Sequence, residues 1–307
     1  MLKIRRKLKL NETQSKIGKY WDIKKIADKR LRWWNSPNII RYYNYRICGK
    51  YLDGWNSGPI DVLKRTAGEN KKFEKAVSVG CGNGTKEMEL IKQGFVNKFI
   101  CYELSERRIE EGKTHAEKYG IADSIEFHLG DFFESDDNLP AYYDLVFWDN
   151  SIHHMLDTRK AVINSNRILK EGGYFFCNDY VGANRFQWSD LELAVMNGVR
   201  QSLPDEVFIV NGKQVQQFVT RNDVEKMKQI DYSEAADSEN IIPSIKEIFQ
   251  NPFIAYAGGT VFHICLNDIL QNIPENSDLL KHLLQIDADA ADHGIGQYAF
   301  ILAQKTL

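Results

Sequence analysis

The chain has little of what most quickly betrays a protein's class. No apolar run approaches the roughly 18 residues of a membrane-spanning helix, so a helical membrane protein is not expected. Its five cysteines (Cys48, Cys81, Cys101, Cys177 and Cys265) are odd in number, far apart and without a C-x-x-C pair. That indicates neither a zinc ribbon nor a disulfide framework, and free core thiols in a reducing cytoplasm are the expectation. The basic start, residues 1–10, runs into Asn11-Glu12-Thr13-Gln14-Ser15 and not into an apolar stretch, so it is not read as a secretory signal. Excess charge is also missing: the net charge of −2 argues against a strongly basic nucleic-acid binder.

That average conceals a split. Residues 1–50 hold fifteen Lys/Arg against three acids (Glu12, Asp22, Asp28), a surplus of 12, so the other 257 residues carry 14 net negative charges. With 43% hydrophobic and 27% charged residues over 307 positions, the chain can bury a sizeable core as one large domain or two small ones. Disorder and low complexity do not fit that composition.

Residues 1–70 read as helical, basic and aromatic. From Lys72 short apolar runs (76–79, 98–102, 124–129, 144–148 and 174–177) alternate with amphipathic stretches at 86–92, 106–118 and 158–169. Strands spaced by helices predict an α/β fold, a mostly parallel sheet covered on both faces. A largely helical insertion is expected at 183–252. Two closing strands, 259–266 and 297–303, should flank a helix over 268–285.

The most informative run is Ala76-Val77-Ser78-Val79-Gly80-Cys81-Gly82-Asn83-Gly84-Thr85. A buried strand ends in three alternating glycines just before a helix, where the backbone can turn sharply and approach a ligand beside a helix N-terminus. Two phosphate motifs fail: Thr85 stands where G-x-G-x-x-G needs glycine, and Thr85-Lys86 replaces the Gly-Lys of a Walker loop. Glu103 closes the second strand 23 residues beyond Gly80, a place from which an acid can hold both ribose hydroxyls. The third strand ends in Gly130-Asp131-Phe132, an acid and an aromatic suited to an adenine amino group and ring.

With these three strand ends together, the sequence resembles the class I S-adenosylmethionine-dependent methyltransferases. V-G-C-G-N-G matches their cofactor loop, Tyr102-Glu103-Leu104-Ser105 their ribose acid, and Gly130-Asp131 their adenine site. The run 144–155 is similar to their fourth strand and its loop, and 168–173 to their turn into strand five. The resemblance implies a Rossmann-like seven-stranded sheet whose last strand is antiparallel. It also implies S-adenosyl-L-methionine bound by Gly80, Cys81, Gly82, Asn83, Gly84, Glu103, Leu104, Gly130, Asp131, Phe132, Asp149 and Asn150. The expected units are a cap (1–70), the cofactor-binding core (71–182), an insertion over the acceptor (183–252) and the last two strands (253–307).

Methyl transfer from a sulfonium is an in-line displacement, so alignment supplies much of the rate. An oxygen nucleophile must also lose a proton to a base near neutral pKa. His153 and His154 lie just past the fourth strand, at the carboxyl end where such sheets bind ligands. Asp179, 25 residues beyond His154, could hold one imidazole in its useful tautomer, and sugar O-methyltransferases of natural-product pathways have a similar His-His and Asp. Asp149 is the next candidate base. A metal set drawn from His153, His154, Asp149, Asp179 or His263 is open on residue type alone; none is expected, because most enzymes of the resembled kind need none.

Tyr180, Arg185, Gln187 and Trp188 are the candidate acceptor-binding residues, by hydrogen bonds and stacking. The leading expectation is a cytoplasmic O-methyltransferase acting on a small acceptor, a sugar or glycan intermediate; the basic N-terminal region would suit a phosphorylated, nucleotide-linked or lipid-linked sugar. The second is an RNA methyltransferase using the basic start, although strand four lacks the Asp/Asn-Pro-Pro-aromatic of adenine N6 enzymes. A non-catalytic partner protein is the third. Contact of residues 1–10 with anionic lipid and a homodimer stay open.

Overall fold

A computed structural model describes residues 10–23, 31–135 and 137–306; the basic residues 1–9, and with them the suggested lipid contact, lie outside these. Among the described residues three α-helices come first: α1 (Glu12–Ile23), α2 (Pro37–Cys48) and α3 (Ser57–Ala67). The alternating part follows as β1 (Ala76–Val79), α4 (Thr85–Lys92), β2 (Phe99–Glu103), α5 (Glu106–Lys118), β3 (Ile125–Leu129), β4 (Tyr143–Asp149), α6 (Thr158–Ile168) and β5 (Leu169–Tyr180). Then come α7 (Asp190–Gln201), a hairpin of β6 (Ile209–Val210) and β7 (Lys213–Gln214), α8 (Val224–Ile230) and α9 (Ile241–Ile248). The chain closes with β8 (Phe253–Gly258), α10 (Asp278–Asp292) and β9 (Tyr298–Gln304).

Seven strands form one sheet in the order β3-β2-β1-β4-β5-β9-β8. All pairs from β3 to β5 are parallel, and β9 runs antiparallel to both β5 and β8. The expected Rossmann-like sheet with one reversed strand is therefore present. Successive side chains of a strand face opposite sides. Val77, Ile100, Val146, Trp148 and Phe175 accordingly pack under α6 and α9 through Val162, Ile168, Ile241 and Ile245. Ala76, Phe99, Phe147, Phe176 and Phe300 face the other way, against Tyr43, Leu63, Met88, Met196 and Leu283.

One expected strand is corrected. Residues 259–266 are not extended: the strand is β8, and Thr260–Cys265 winds into a π-helical turn. Gly258 and Gly259 both take left-handed φ values, 93° and 101°, which end the strand. The buried Asp287 carboxylate then accepts hydrogen bonds from Gly259 N (3.1 Å) and Val261 N (2.6 Å), satisfying the start of the turn. A short apolar run looks the same in either state, and only the acid from a later helix decides it. The following helix is correspondingly displaced from 268–285 to α10.

Some aromatics of the N-terminal region are core, whereas Trp34, Tyr45 and Tyr51 are exposed. Trp33 and Tyr43 are buried against Trp55, Phe262 and Tyr298. Arg41 and Arg46 pair with Asp53 and Asp292.

Candidate active site

The carboxyl ends of β1 to β4 open into a cavity. Its floor is Val79, Gly80 and Gly82 from the first strand end, and Tyr102, Glu103 and Leu104 from the second. Gly130 and Asp131 follow β3, while Asn150, Ser151, His154 and Met155 follow β4. Ile17 and Trp21 of α1 and Arg108 of α5 complete the lining.

The loop after β1 is held in shape by the acid of β2. Glu103 accepts hydrogen bonds from Gly82 N (2.8 Å), Leu104 N (2.8 Å) and Ser105 N (3.0 Å). Gly80 has φ +70°, and a Cβ there would lie 2.9 Å from the Ser151 Cβ, so only glycine lets the two loops meet. Asp131 caps its own turn through Phe133 N (2.9 Å) and accepts from Gln14 Nε2 of α1 at 3.2 Å.

Of the twelve sequence-selected cofactor residues, Gly80, Gly82, Glu103, Leu104, Gly130, Asp131 and Asn150 line the cavity. The other five do not. Cys81 packs beside Cys101, with burial holding its thiol pKa well above the ordinary value. Asn83 accepts from Thr85 Oγ (2.6 Å), and Gly84 lies against the Phe127 ring. Phe132 is fully buried among Tyr102, Phe133 and Tyr143. Asp149 is buried, ion-paired to Lys86 at 2.8 Å and hydrogen-bonded by Asn56.

His153, His154 and Asp179 come together. Asp179, fully buried at the end of β5, accepts from Ser151 N and Ile152 N, both at 2.8 Å, through one carboxylate oxygen. Its other oxygen makes a short hydrogen bond with His153 Nδ1. Burial alone would disfavour the His153 imidazolium, but the Asp179 charge and hydrogen bond outweigh it and raise the pKa to about 8. The same contacts keep the Asp179 pKa below its usual value despite burial. His154 meets Ser233 Oγ through Nδ1 (3.0 Å), and its ring centre is 4.0 Å from that of His153. Burial and the neighbouring His153 charge lower its pKa to about 4.

The four acceptor candidates spend their polar atoms on the protein itself. Arg185 donates to the carbonyls of Glu234 (2.9 Å) and Tyr232 (2.7 Å), and Gln187 to those of Arg185 (3.1 Å) and Asn222 (2.8 Å). Tyr180 is buried with its hydroxyl on Ala183 O (3.2 Å). Trp188 stacks on Phe186, donates to Gln297 Oε1 (3.2 Å), and lines a second cleft with Arg32, Phe218 and His263. Burial, then the charges of Arg32 and His153, push the His263 pKa down to about 3.

Sequence reasoning missed the contribution of α1. Trp21 stacks on the Arg108 guanidinium at 4.6 Å and meets His154 edge-on at 5.5 Å. Gly18 lies so close that a Cβ would be 2.2 Å from Leu104 O. Asp22 accepts from Ser105 Oγ (2.6 Å) and Arg107 N (3.2 Å). The spacing Gln14, Ile17, Gly18, Trp21 places these residues on one helix face and was the available signal.

A sequence model of the methyltransferase domain family matches residues 70–253, more than half of the chain. The chain belongs to this family, as a class I methyltransferase dependent on S-adenosylmethionine. The demethylmenaquinone methyltransferase of Leptospira interrogans is 29% identical over 179 residues, 58% of this chain and 63% of that protein. The 27-O-demethylrifamycin SV methyltransferase of Amycolatopsis mediterranei is 27% identical over 111 residues, 35% of this chain and 39% of that protein. The chain thus spans less than two thirds of the length of these relatives, and only 6% of the polyketide synthase ThaQ of Burkholderia thailandensis, 27% identical over 135 residues.

Among solved structures, geranyl diphosphate C-methyltransferase of Streptomyces coelicolor superposes with a TM-score of 0.52 at 13% identity, covering 96% of this chain and 98% of that one. Haemonchus contortus phosphoethanolamine N-methyltransferase 2 gives 0.53 at 16%, covering 95% and 60%. At such identities the likeness concerns the fold. The cavity itself fits the cofactor: glycines admit close approach, Glu103 is braced at the rim, and Arg108 Nε is buried without a partner among the described residues. Among the described residues, no helix is long and apolar enough to cross a membrane.

Proposed function

We propose that the protein transfers a methyl group to a hydroxyl of a small acceptor, a sugar or glycan intermediate. The observation that carries this reading is the buried His153–Asp179 pair, with His154 beside it on the cavity wall. S-adenosylmethionine, when bound, supplies an electrophilic methyl group on a sulfonium. A hydroxyl must lose its proton as it attacks, and an imidazole beside the cavity can take it. His153, oriented through Nδ1, turns Nε2 toward Glu234 Oε1 at 3.7 Å, beside the cavity wall that His154 lines, and Asp179 stabilises positive charge on the ring. Tyr102, Glu103 and Asp131 set the donor end, so the acceptor enters from the side of β4 and β5.

A second cleft lined by Phe186, Trp188 and Phe218 offers apolar surface to the ring of an acceptor. The relatives' names cover acceptors as different as a demethylmenaquinone and a 27-O-demethylrifamycin SV.

A labelled methyl-transfer screen over nucleotide sugars, free glycans, quinones and RNA tests the reading. Transfer to a sugar hydroxyl is expected. Exclusive transfer to carbon, or to RNA, would overturn it.

A further inference from the structure

We propose that His153, His154 and Glu234 form a binding site for one divalent transition-metal ion on the acceptor side of the cavity. One ring nitrogen of each histidine and a carboxylate oxygen of Glu234 all lie within 4.8 Å of one another. Closing this set onto bonds of about 2.0–2.2 Å needs side-chain adjustments of the order of an ångström. His153 Nε2 is already 3.7 Å from Glu234 Oε1.

Each imidazole is prepared as metal-binding histidines usually are, with its other nitrogen tied to an oxygen that fixes the ring. His153 Nδ1 is bonded to Asp179. His154 Nδ1 meets Ser233 Oγ, which in turn donates to Asp231 Oδ1 at 2.7 Å. Both rings therefore keep one nitrogen free for an ion.

The charge around the site is unbalanced in the direction a cation would correct. Asp179, Asp231 and Glu234 surround the two rings, and among the described residues neither Lys nor Arg pairs with any of the three. Asp231 is 3% exposed, and its Oδ2 has no hydrogen-bond partner among the described residues. A buried carboxylate oxygen without a partner is costly. Two imidazoles and one carboxylate suit Zn²⁺, Co²⁺, Mn²⁺ or Fe²⁺ and disfavour Mg²⁺ and Ca²⁺.

The coordination stands on this geometry. Its use rests on the hydroxyl-transfer reading above: with the ion in place both nitrogens of His153 would be occupied, so the ion would acidify the acceptor hydroxyl in place of the imidazole, and the proton would pass to water. The notional sets containing Asp149 or His263 are not assembled, since Asp149 is engaged by Lys86 and His263 lies across Tyr180.

Titration of the metal-stripped full chain with Co²⁺, followed by visible absorption, tests the proposal. One equivalent should bind with saturable bands, displaced by Zn²⁺ and not by Mg²⁺. His154→Ala and Glu234→Gln should each weaken binding at least tenfold, and Asp179→Asn by about 10–100-fold. His282→Ala, an exposed control on α10, should leave it unchanged. Absence of saturable bands in the wild type, or undiminished binding in both ligand variants, would overturn the site. The melting shift given by S-adenosylhomocysteine is read on the same samples: retained, it shows that a variant has folded. A cofactor shift without cobalt bands removes the ion and leaves the transferase reading, whereas bands without a cofactor shift do the reverse.

Discussion

Asp179 and His153 share a hydrogen bond inside the protein, and the same carboxylate also fixes the backbone of Ser151 and Ile152. One buried acid thus shapes the loop after β4 and orients the ring that the loop carries. Asp179→Asn keeps the volume and removes the charge. Turnover at pH 7 should fall by roughly 10²–10⁴, the usual contribution of a general base, with cofactor affinity held within a few-fold. The His153 pKa should drop from about 8, because burial would then act without the opposing carboxylate. NMR titration of the ring protons in chelator-treated protein reads that shift; unchanged turnover and an unchanged ring pKa would remove the pair's role.

Glu103 and Gly80 should govern cofactor binding. Glu103→Ala deletes an acceptor of three backbone N–H groups, so the loop after β1 loses its brace along with the proposed ribose contact. Hydrogen bonds to a charged group contribute about 1.5–3 kcal/mol, which converts to a roughly 10–100-fold weaker affinity for S-adenosylhomocysteine. Gly80→Ala meets Ser151 and a left-handed φ at once and should weaken binding similarly. Calorimetry on both variants decides; affinities equal to wild type would show that this cavity is not the cofactor site.

The sheet was legible because its strands are apolar runs bounded by glycines and acids, signals that are local in sequence. The residues that line the cavity were legible for the same reason: Gly80, Gly82, Glu103 and Asp131 stand at strand ends. What escaped depends on partners distant in sequence. Asp287 turns 259–266 from strand to helix across 28 residues, and Gln14 reaches Asp131 across 117. Arg185 and Gln187 looked free for an acceptor, because nothing nearby announces that backbone carbonyls of 185, 222, 232 and 234 will occupy them.

Helix α1 should retain the cofactor. Trp21→Ala loses the stacking on Arg108 and the edge contact with His154. A cation–π pair contributes about 0.5–2 kcal/mol, so dissociation of S-adenosylhomocysteine should quicken roughly 2–30-fold. Gly18→Val should have a larger effect, because its side chain would collide with the Leu104 carbonyl and lift the helix. Stopped-flow displacement measures both; dissociation rates equal to wild type would mean that α1 does not hold the bound cofactor.

Glu87 should make stability fall as pH rises from about 4.5 to about 7. It is buried beneath β1, accepts from Ser78 Oγ at 2.6 Å, and has a second carboxylate oxygen without a partner among the described residues. Burial raises its pKa from 4.5 to about 7. The folded state therefore binds this proton more tightly than the unfolded chain does. The stabilisation is fully present below about pH 4.5 and is lost as pH rises through about 7. The span of about 2.5 pKa units corresponds to something of the order of 3 kcal/mol. Glu87→Gln carries no charge, so its stability should change less between pH 5 and 8, and its advantage over wild type should grow as pH rises. Urea denaturation at pH 5, 6, 7 and 8 gives the comparison. A difference between the two proteins that stays constant across that range would show that Glu87 does not take up a proton on folding.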